Sequence, residues 1–369
     1  MEPVPSPPRR TPRTARRPHR ALIVLLATIT LGSAACGSLD PAPTAAPTGD
    51  APAVTGAASP SGDAAASSPG AQATADPTPA SSPDVPASLA SGFRVHAYPV
   101  VDLAIADRAY AETSDAPLKI DYPADKRGVP RYARNGRTYL HPVSAAQQGL
   151  RQLATYVRTG TGAYLDRARI IADALIAAGV KSNGALWIPY RFDFRLHGLV
   201  KDTMRAPWYS AMAQGQVLSL VSRLYEITGD QRYLKDAKAV FASFEVVGRR
   251  AAPWIVWVES RYLWLEEYPG RPPDHTLNGF IFALYGIYDY YEVTRGASSE
   301  RVFQAGLTTL AHYLPQFRNK GGISSYCLLH RELSEKYHHI HIGQLRNLTR
   351  MTGDPRFAAV ADRFEADHH

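Results

Sequence analysis

The residues best suited to chemistry are concentrated between Trp254 and Tyr291, where Glu266-Glu267-Tyr268-Pro269 is followed by Leu277-Asn278-Gly279-Phe280 and by Tyr285, Tyr288, Tyr290 and Tyr291. Carboxylates and phenols are proton-exchange groups once their surroundings tune them. Aromatic rings add flat apolar faces with polar edges, the surface against which a sugar ring packs. Pro269-Gly270 and Pro272-Pro273 fix a loop here, and the apolar run after Thr276 predicts a helix that starts beside it. Two further segments have the same character. In Trp208-Tyr209-Ser210-Ala211-Met212-Ala213-Gln214-Gly215-Gln216, the two rings are candidate stacking platforms, and the Gln214 and Gln216 amides are candidate substrate contacts. The other runs from Tyr326 through His330, Tyr337 and His338 to His341 and Gln344-Leu345.

These three segments, in this order, resemble the C-terminal domain of the glucuronyl C5-epimerases that act on heparan-type polysaccharides. The resemblance covers roughly residues 140 to 365 and is dense only in the three motifs. It implies an enzyme without cofactor whose substrate is a glucuronate-containing polysaccharide. It also implies a Glu-Tyr pair from the central motif and two tyrosines from the last, which correspond to Glu267, Tyr268, Tyr326 and Tyr337. Such a reaction removes the proton next to a carboxylate and returns one to the opposite face. It therefore needs two acid/base groups across the ring and a group that neutralises the enolate-like species. A catalytic tyrosine, with a free pKa near 10, needs a neighbouring cation, donor or base. Arg261, Arg331 and His330 lie near enough in sequence to serve, and His338 and His341 are candidates to orient Tyr337 or bind substrate. Asn278 suits either a helix N-cap or an amide contact to the uronate.

Two departures from the family stand out. Tyr326 is followed by Cys327-Leu328-Leu329-His330, where the family continues with an aspartate and an arginine, so Leu329 occupies the arginine position. Loss of that guanidinium removes a bidentate anion clamp and argues against dependence on sulfate. The β-rich domains of animal members are absent apart from a short extended segment near Phe93 to Leu140. The cluster His338, His339, His341 lacks an acidic or cysteine partner at matching spacing, so no metal is expected from it. A polysaccharide lyase begins with the same proton abstraction and stays open as an alternative. A glycoside hydrolase needs a second carboxylate, and none is evident beside Glu267. The non-enzymatic alternative is a glycan-binding lipoprotein that has lost catalysis.

The elements that must position these groups are helical. After His141-Pro142 a unit recurs: Thr159-Gly160, Thr228-Gly229-Asp230, Thr294-Arg295-Gly296 and Thr352-Gly353-Asp354 each separate two helical patterns, at intervals of 58 to 69 residues. Glycine provides a left-handed stop, and Asp230 or Asp354 caps the next helix. Four hairpins, each burying its stripe against its neighbours, predict a mainly α fold, an incomplete α/α toroid. The connections over 180–207, 246–275 and 318–337 are expected at one end, bearing the motifs. Residues 93–140 read as short strands or extended arms, and 93–369 as one domain.

Ahead of that domain, residues 1–35 read as a signal segment: an arginine-rich start, an apolar stretch from Ala21 to Leu31, and Ser33-Ala34-Ala35 before Cys36. Cys36 is the expected lipidation site, which places the protein outside the cytoplasm, held to the membrane only by that anchor. The alternatives are an ordinary cleaved secretory peptide or an uncleaved anchor, with Cys36 incidental. Residues 36–92, almost wholly Ala, Pro, Ser, Thr and Gly, form a tether too poor in apolar groups to fold. Six arginines and one glutamate precede Ala21, so the net charge of +8 falls to +3 without them, and nucleic acid is not an expected partner. The two cysteines, Cys36 and Cys327, exclude a disulfide framework if Cys36 is lipidated. A homodimer is left open.

Overall fold

The computed structural model describes residues 92–111, 113–120, 122–248 and 253–369. The expected signal segment, the lipidation site Cys36 and nearly all of the tether lie outside the described residues. Among the described residues no helix is long and apolar enough to cross a membrane.

Among the described residues, eight α-helices form four antiparallel hairpins: α1 (Pro142–Thr159) with α2 (Gly162–Ala178), α3 (Ala211–Thr228) with α4 (Gln231–Phe241), α5 (Leu277–Thr294) with α6 (Ala297–Phe317), and α7 (Glu335–Thr352) with α8 (Pro355–Asp367). The recurring stops act as their chemistry dictates. Gly160, Gly229 and Gly353 end α1, α3 and α7 in the left-handed conformation at φ 69°, 69° and 65°, where a side chain would be strained. Arg295 does the same after α5 at φ 48°, and its guanidinium is held by Glu292 at 2.8 Å. Asp230 and Asp354 cap α4 and α8 through the backbone amides of Arg232 and Arg356, each at 2.9 Å.

The first helices of the hairpins pack successively, α1 on α3, α3 on α5 and α5 on α7, which gives an incomplete α/α toroid. At the α3–α5 crossing the two backbones touch. A Cβ on Gly215 would lie 2.5 Å from the Ala283 Cα, and one on Gly286 would meet the Gly215 backbone. Gly215 is therefore explained by contact between backbones.

Antiparallel two-stranded ribbons decorate the array: β1 (Tyr132–Arg134) with β2 (Arg137–Tyr139), β3 (Val180–Ser182) with β4 (Ala185–Trp187), β5 (Phe194–Arg195) with β6 (Thr203–Met204), and β7 (Val256–Glu259) with β8 (Tyr262–Leu265). Within residues 93–140, read as short strands or extended arms, the strands formed among the described residues are those of the one ribbon Tyr132–Arg134 with Arg137–Tyr139. The segment around Tyr98 is an arm without strand partners. The Gln304 side chain brackets it, accepting from Tyr98 N at 2.8 Å and donating to Tyr98 O at 2.9 Å. Further along, the buried Arg108 guanidinium reaches Glu226 at 2.7 Å and Asp289 at 3.4 Å, and Arg223 holds the other Asp289 oxygen at 2.9 Å. The arm is thereby fastened to α3 and α5.

Candidate active site

Glu266 and Glu267 leave β8 as successive residues of an extended chain, so their side chains point to opposite sides. Glu266 turns inward. Fully buried, it meets His275 Nδ1 at 2.6 Å and accepts from the His275 amide at 3.2 Å. The His275 ring stacks on Trp264 at 3.8 Å. Burial alone would lower the His275 pKa, but the Glu266 hydrogen bond and charge outweigh it and raise it. Glu266 is thus neither a solvated surface residue nor a cleft group; it clamps the loop.

Glu267 turns the other way, against the first turn of α5, where Gly279 leaves room: a Cβ there would lie 2.6 Å from the Glu267 Cβ. Tyr326 Oη donates to Glu267 Oε2 at 3.4 Å, and the Tyr268 and Tyr326 hydroxyls are 3.4 Å apart. The Tyr337 ring, from the first turn of α7, packs on Tyr326 at 4.6 Å between centroids. The structure therefore brings Glu267, Tyr268, Tyr326 and Tyr337 into one cluster, though they span three separate stretches of chain.

Electrostatics set what these groups can do. Burial, reinforced by the charges of Asp274 and Glu266 and opposed by hydrogen bonds from Tyr268 and Tyr326, pushes Glu267 up to about 8. Burial first and the Glu267 charge second hold Tyr268 and Tyr326 well above the usual tyrosine range. The two arginines expected to favour a phenolate are placed elsewhere. Arg331 donates to Gln316 O and to Asn319 Oδ1, and Arg261 sits exposed in the β7–β8 turn. A lone phenolate is thus disfavoured, whereas a carboxyl near neutrality with two phenols in contact forms a short proton-sharing chain.

Beside this cluster opens a cavity of about 360 Å³ whose wall includes Trp208, Tyr209, Tyr268, Asp274, Leu329 and His330. The Trp208 ring is mostly covered, stacked 3.9 Å from Tyr190, and its indole donates to Phe192 O at 3.0 Å. Tyr209 is half-buried. Leu329, in the position where an arginine was expected, is 42% exposed and gives the rim an apolar patch. Lys201, Arg205 and Arg271 supply cations to the same wall.

Other predicted site residues serve the scaffold. Gln214 accepts from Ile188 N at 2.8 Å and donates to Leu186 O and Ser243 Oγ, each at 2.9 Å, so it pins the segment after β4 and does not face the cavity. Gln216 is fully buried on α3. His338 and His341 are buried around Ser324, whose hydroxyl lies 2.9 Å from each Nδ1, and they fix the last connection. Burial lowers the His341 pKa to about 3, which keeps its ring neutral. Asn278 is the second residue of α5 and not its cap, and its carbonyl accepts from Gln344 at 3.0 Å.

One constellation had no counterpart among the sequence motifs. His197, Asp274, Cys327 and His330 present one ligand atom each within 4.8 Å of one another, among the described residues the group able to hold a metal. Asp274 is buried between the two rings, with Oδ1 2.7 Å from His330 Nδ1 and Oδ2 3.3 Å from His197 Nε2. Burial and the negative charge of Asp274 push the Cys327 thiol up to about 12. Three different connections supply these residues, so no spacing motif announces them.

The four hairpins form an α/α toroid whose connections carry a cleft with acid, phenol and stacking groups. Residues 183–366 match the family described as D-glucuronyl C5-epimerase C-terminus, and they belong to it. Similar chains include an uncharacterized protein of Methanocaldococcus jannaschii, 29% identical over 202 residues (52% of this chain, 63% of that one). The D-glucuronyl C5-epimerase of Caenorhabditis elegans is 27% identical over 179 residues (42% of this chain, 28% of that one). The match thus spans well under a third of the nematode protein. Among solved structures, cellobiose 2-epimerase from Bacillus thermoamylovorans aligns with a TM-score of 0.47 at 13% identity, covering 67% of this chain and 66% of that one.

Proposed function

We propose that this chain is a uronic-acid C5-epimerase that converts glucuronate to iduronate residues within a polysaccharide. The observation that carries the proposal is the Glu267–Tyr326–Tyr268 hydroxyl–carboxylate chain, with Tyr337 packed on it, beside a cavity with stacking and cationic groups. Because both phenols are hard to ionise, Tyr326 takes the C5 proton only as its own proton passes to the Glu267 carboxylate. No full phenolate then accumulates. The electron pair left at C5 delocalises into the uronate carboxyl, whose added charge Lys201, Arg205 and Arg271 in the cavity wall would offset. A second hydroxyl, assigned to Tyr337, returns a proton to the other face and regains one from solvent as Glu267 releases the one it took, which restores the starting state. With Leu329 at the rim, an unsulfated polymer is the preferred substrate. Cys36 is proposed to carry lipid and hold the enzyme outside the cytoplasm.

The test is incubation with an unsulfated glucuronate polymer in deuterated water. Wild type should incorporate deuterium at C5, and Tyr326→Phe and Tyr337→Phe should each reduce uptake by roughly a hundredfold or more with circular dichroism unchanged. Undiminished uptake in both variants refutes the roles assigned. An ultraviolet-absorbing unsaturated product from the wild type would instead make the protein a lyase.

A further inference from the structure

We propose that His197, Asp274, Cys327 and His330 form a zinc site in the wall of the cleft, with no water position left open. A tetrahedral zinc with N, O and S ligands at about 2.0–2.3 Å requires ligand atoms about 3.3–3.8 Å apart. His197 Nε2 already lies 3.3 Å from Asp274 Oδ2 and 3.5 Å from Cys327 Sγ, so its separations from both of these ligands are at that spacing. His330 Nδ1 lies 2.7 Å from the other Asp274 oxygen, and all four ligand atoms fall within 4.8 Å of one another.

The surroundings are those of a metal centre. His330 directs its second nitrogen at Asp202 Oδ2, 3.2 Å away, the carboxylate–histidine arrangement that fixes the tautomer of a ligating ring. Thr276 Oγ1 donates to Asp274 Oδ2 at 2.8 Å and so fixes that carboxylate. His197 holds its ring in place from a left-handed backbone, φ 51°, which histidine tolerates better than most residues. Asp274 and His330 line the cavity, which provides a path of entry. Binding replaces the Cys327 S–H proton, released to solvent, with a zinc–thiolate bond. The two anionic ligands then balance the dication. The ion would tie together the connections before α3, α5 and α7, one residue from Tyr326.

The experiment uses the full chain, purified without chelator and equilibrated with zinc, then with cobalt as a spectroscopic probe. Metal analysis should find about one zinc per chain. The cobalt form should show intense tetrahedral visible bands and a near-ultraviolet thiolate charge-transfer band that Cys327→Ser abolishes. Asp202→Asn, a change to a partly exposed residue outside the ligand set, should weaken zinc binding about 10- to 100-fold with the fold retained. A natively folded wild type that takes up no zinc at micromolar free metal overturns the proposal. So does a cobalt spectrum identical in wild type and a folded Cys327→Ser. Either result leaves the epimerase assignment standing on its own test, since no step there passes through the metal.

Discussion

Glu267→Gln is the substitution whose consequence is most directly calculable. The wild-type carboxyl is 7% exposed, ordinarily titrates near 4.5, and is raised to about 8 in the fold. Between those values the unfolded chain has released its proton while the folded chain still holds it, so the folded state binds more protons and stability falls as pH rises. Each tenfold change in proton affinity corresponds to about 1.4 kcal/mol, so Glu267 contributes a loss of about 3 kcal/mol by pH 7 and at most about 5 kcal/mol above pH 8. Glutamine keeps the shape but not the charge. It should match wild-type stability near pH 5 and exceed it by several kcal/mol at pH 9. Urea unfolding of both proteins at pH 5, 7 and 9 isolates the residue, because Glu266, Asp274, His275, Tyr268 and Tyr326 are common to both. Parallel pH dependences would mean that Glu267 is ionised in the fold at neutral pH, and the argument that it accepts a proton near pH 8 would fail with it. The same variant should reduce C5 exchange by about a hundredfold or more at every pH.

Gly279→Ala would drive a methyl group into Glu267, so C5 exchange should fall sharply while the far-ultraviolet spectrum stays native; full activity would show that Glu267 has room to move. Gly286→Ala thrusts a Cβ at the Gly215 backbone across the α3–α5 crossing, where neither chain can rotate aside, and should cost about 3 kcal/mol in chemical denaturation, against a gain if the position were an ordinary helix site. Activity of wild type should rise from pH 6 toward pH 8 as Glu267 ionises, and a flat profile would contradict its assignment as proton acceptor. Fatty-acid labelling in cells should disappear in Cys36→Ala, and equal labelling of the variant would remove the proposed anchor.

The helical hairpins were legible because their signals are local: a Thr-Gly stop is written in adjacent residues, and the apolar period of a helix repeats within two turns. Gln214 shows where local signals end. A glutamine inside an apolar helix announces a buried polar contact, but its partners, Leu186 and Ile188, belong to another connection, and nothing near Gln214 distinguishes them from a substrate. The pair at the end of β8 shows the same limit at the scale of one residue. Glu266 and Glu267 are identical in type and neighbours in sequence, and only the phase of the strand sends one to His275 and the other to Tyr326. Asp274 was hidden for a third reason: its histidine partners lie in the connections before α3 and before α7, so the cluster exists only after folding.

Holding a carboxyl near pH 8 requires surroundings that cannot relax to solvate its charge, and loops usually do relax. The connections here are restrained by backbone hydrogen bonds between them, beyond what their own turns provide. The Glu266 carbonyl accepts from Ala211 N at 2.8 Å, which joins the central motif to the start of α3. The Tyr326 carbonyl accepts from Leu277 N at 2.9 Å and its amide donates to Glu332 O at 2.7 Å, so the residue bearing the proposed proton carrier is held on both sides. The Asp274 carbonyl accepts from Leu328 N at 3.2 Å and Leu329 N at 3.3 Å, which makes the same loop a strut for the last motif. The three motifs are therefore fixed to one another through the main chain, independently of the side chains that carry the chemistry. It follows that Tyr268, Tyr326 and Tyr337 can each lose a hydroxyl without releasing the loops, the condition under which their removal reports on proton transfer and not on folding.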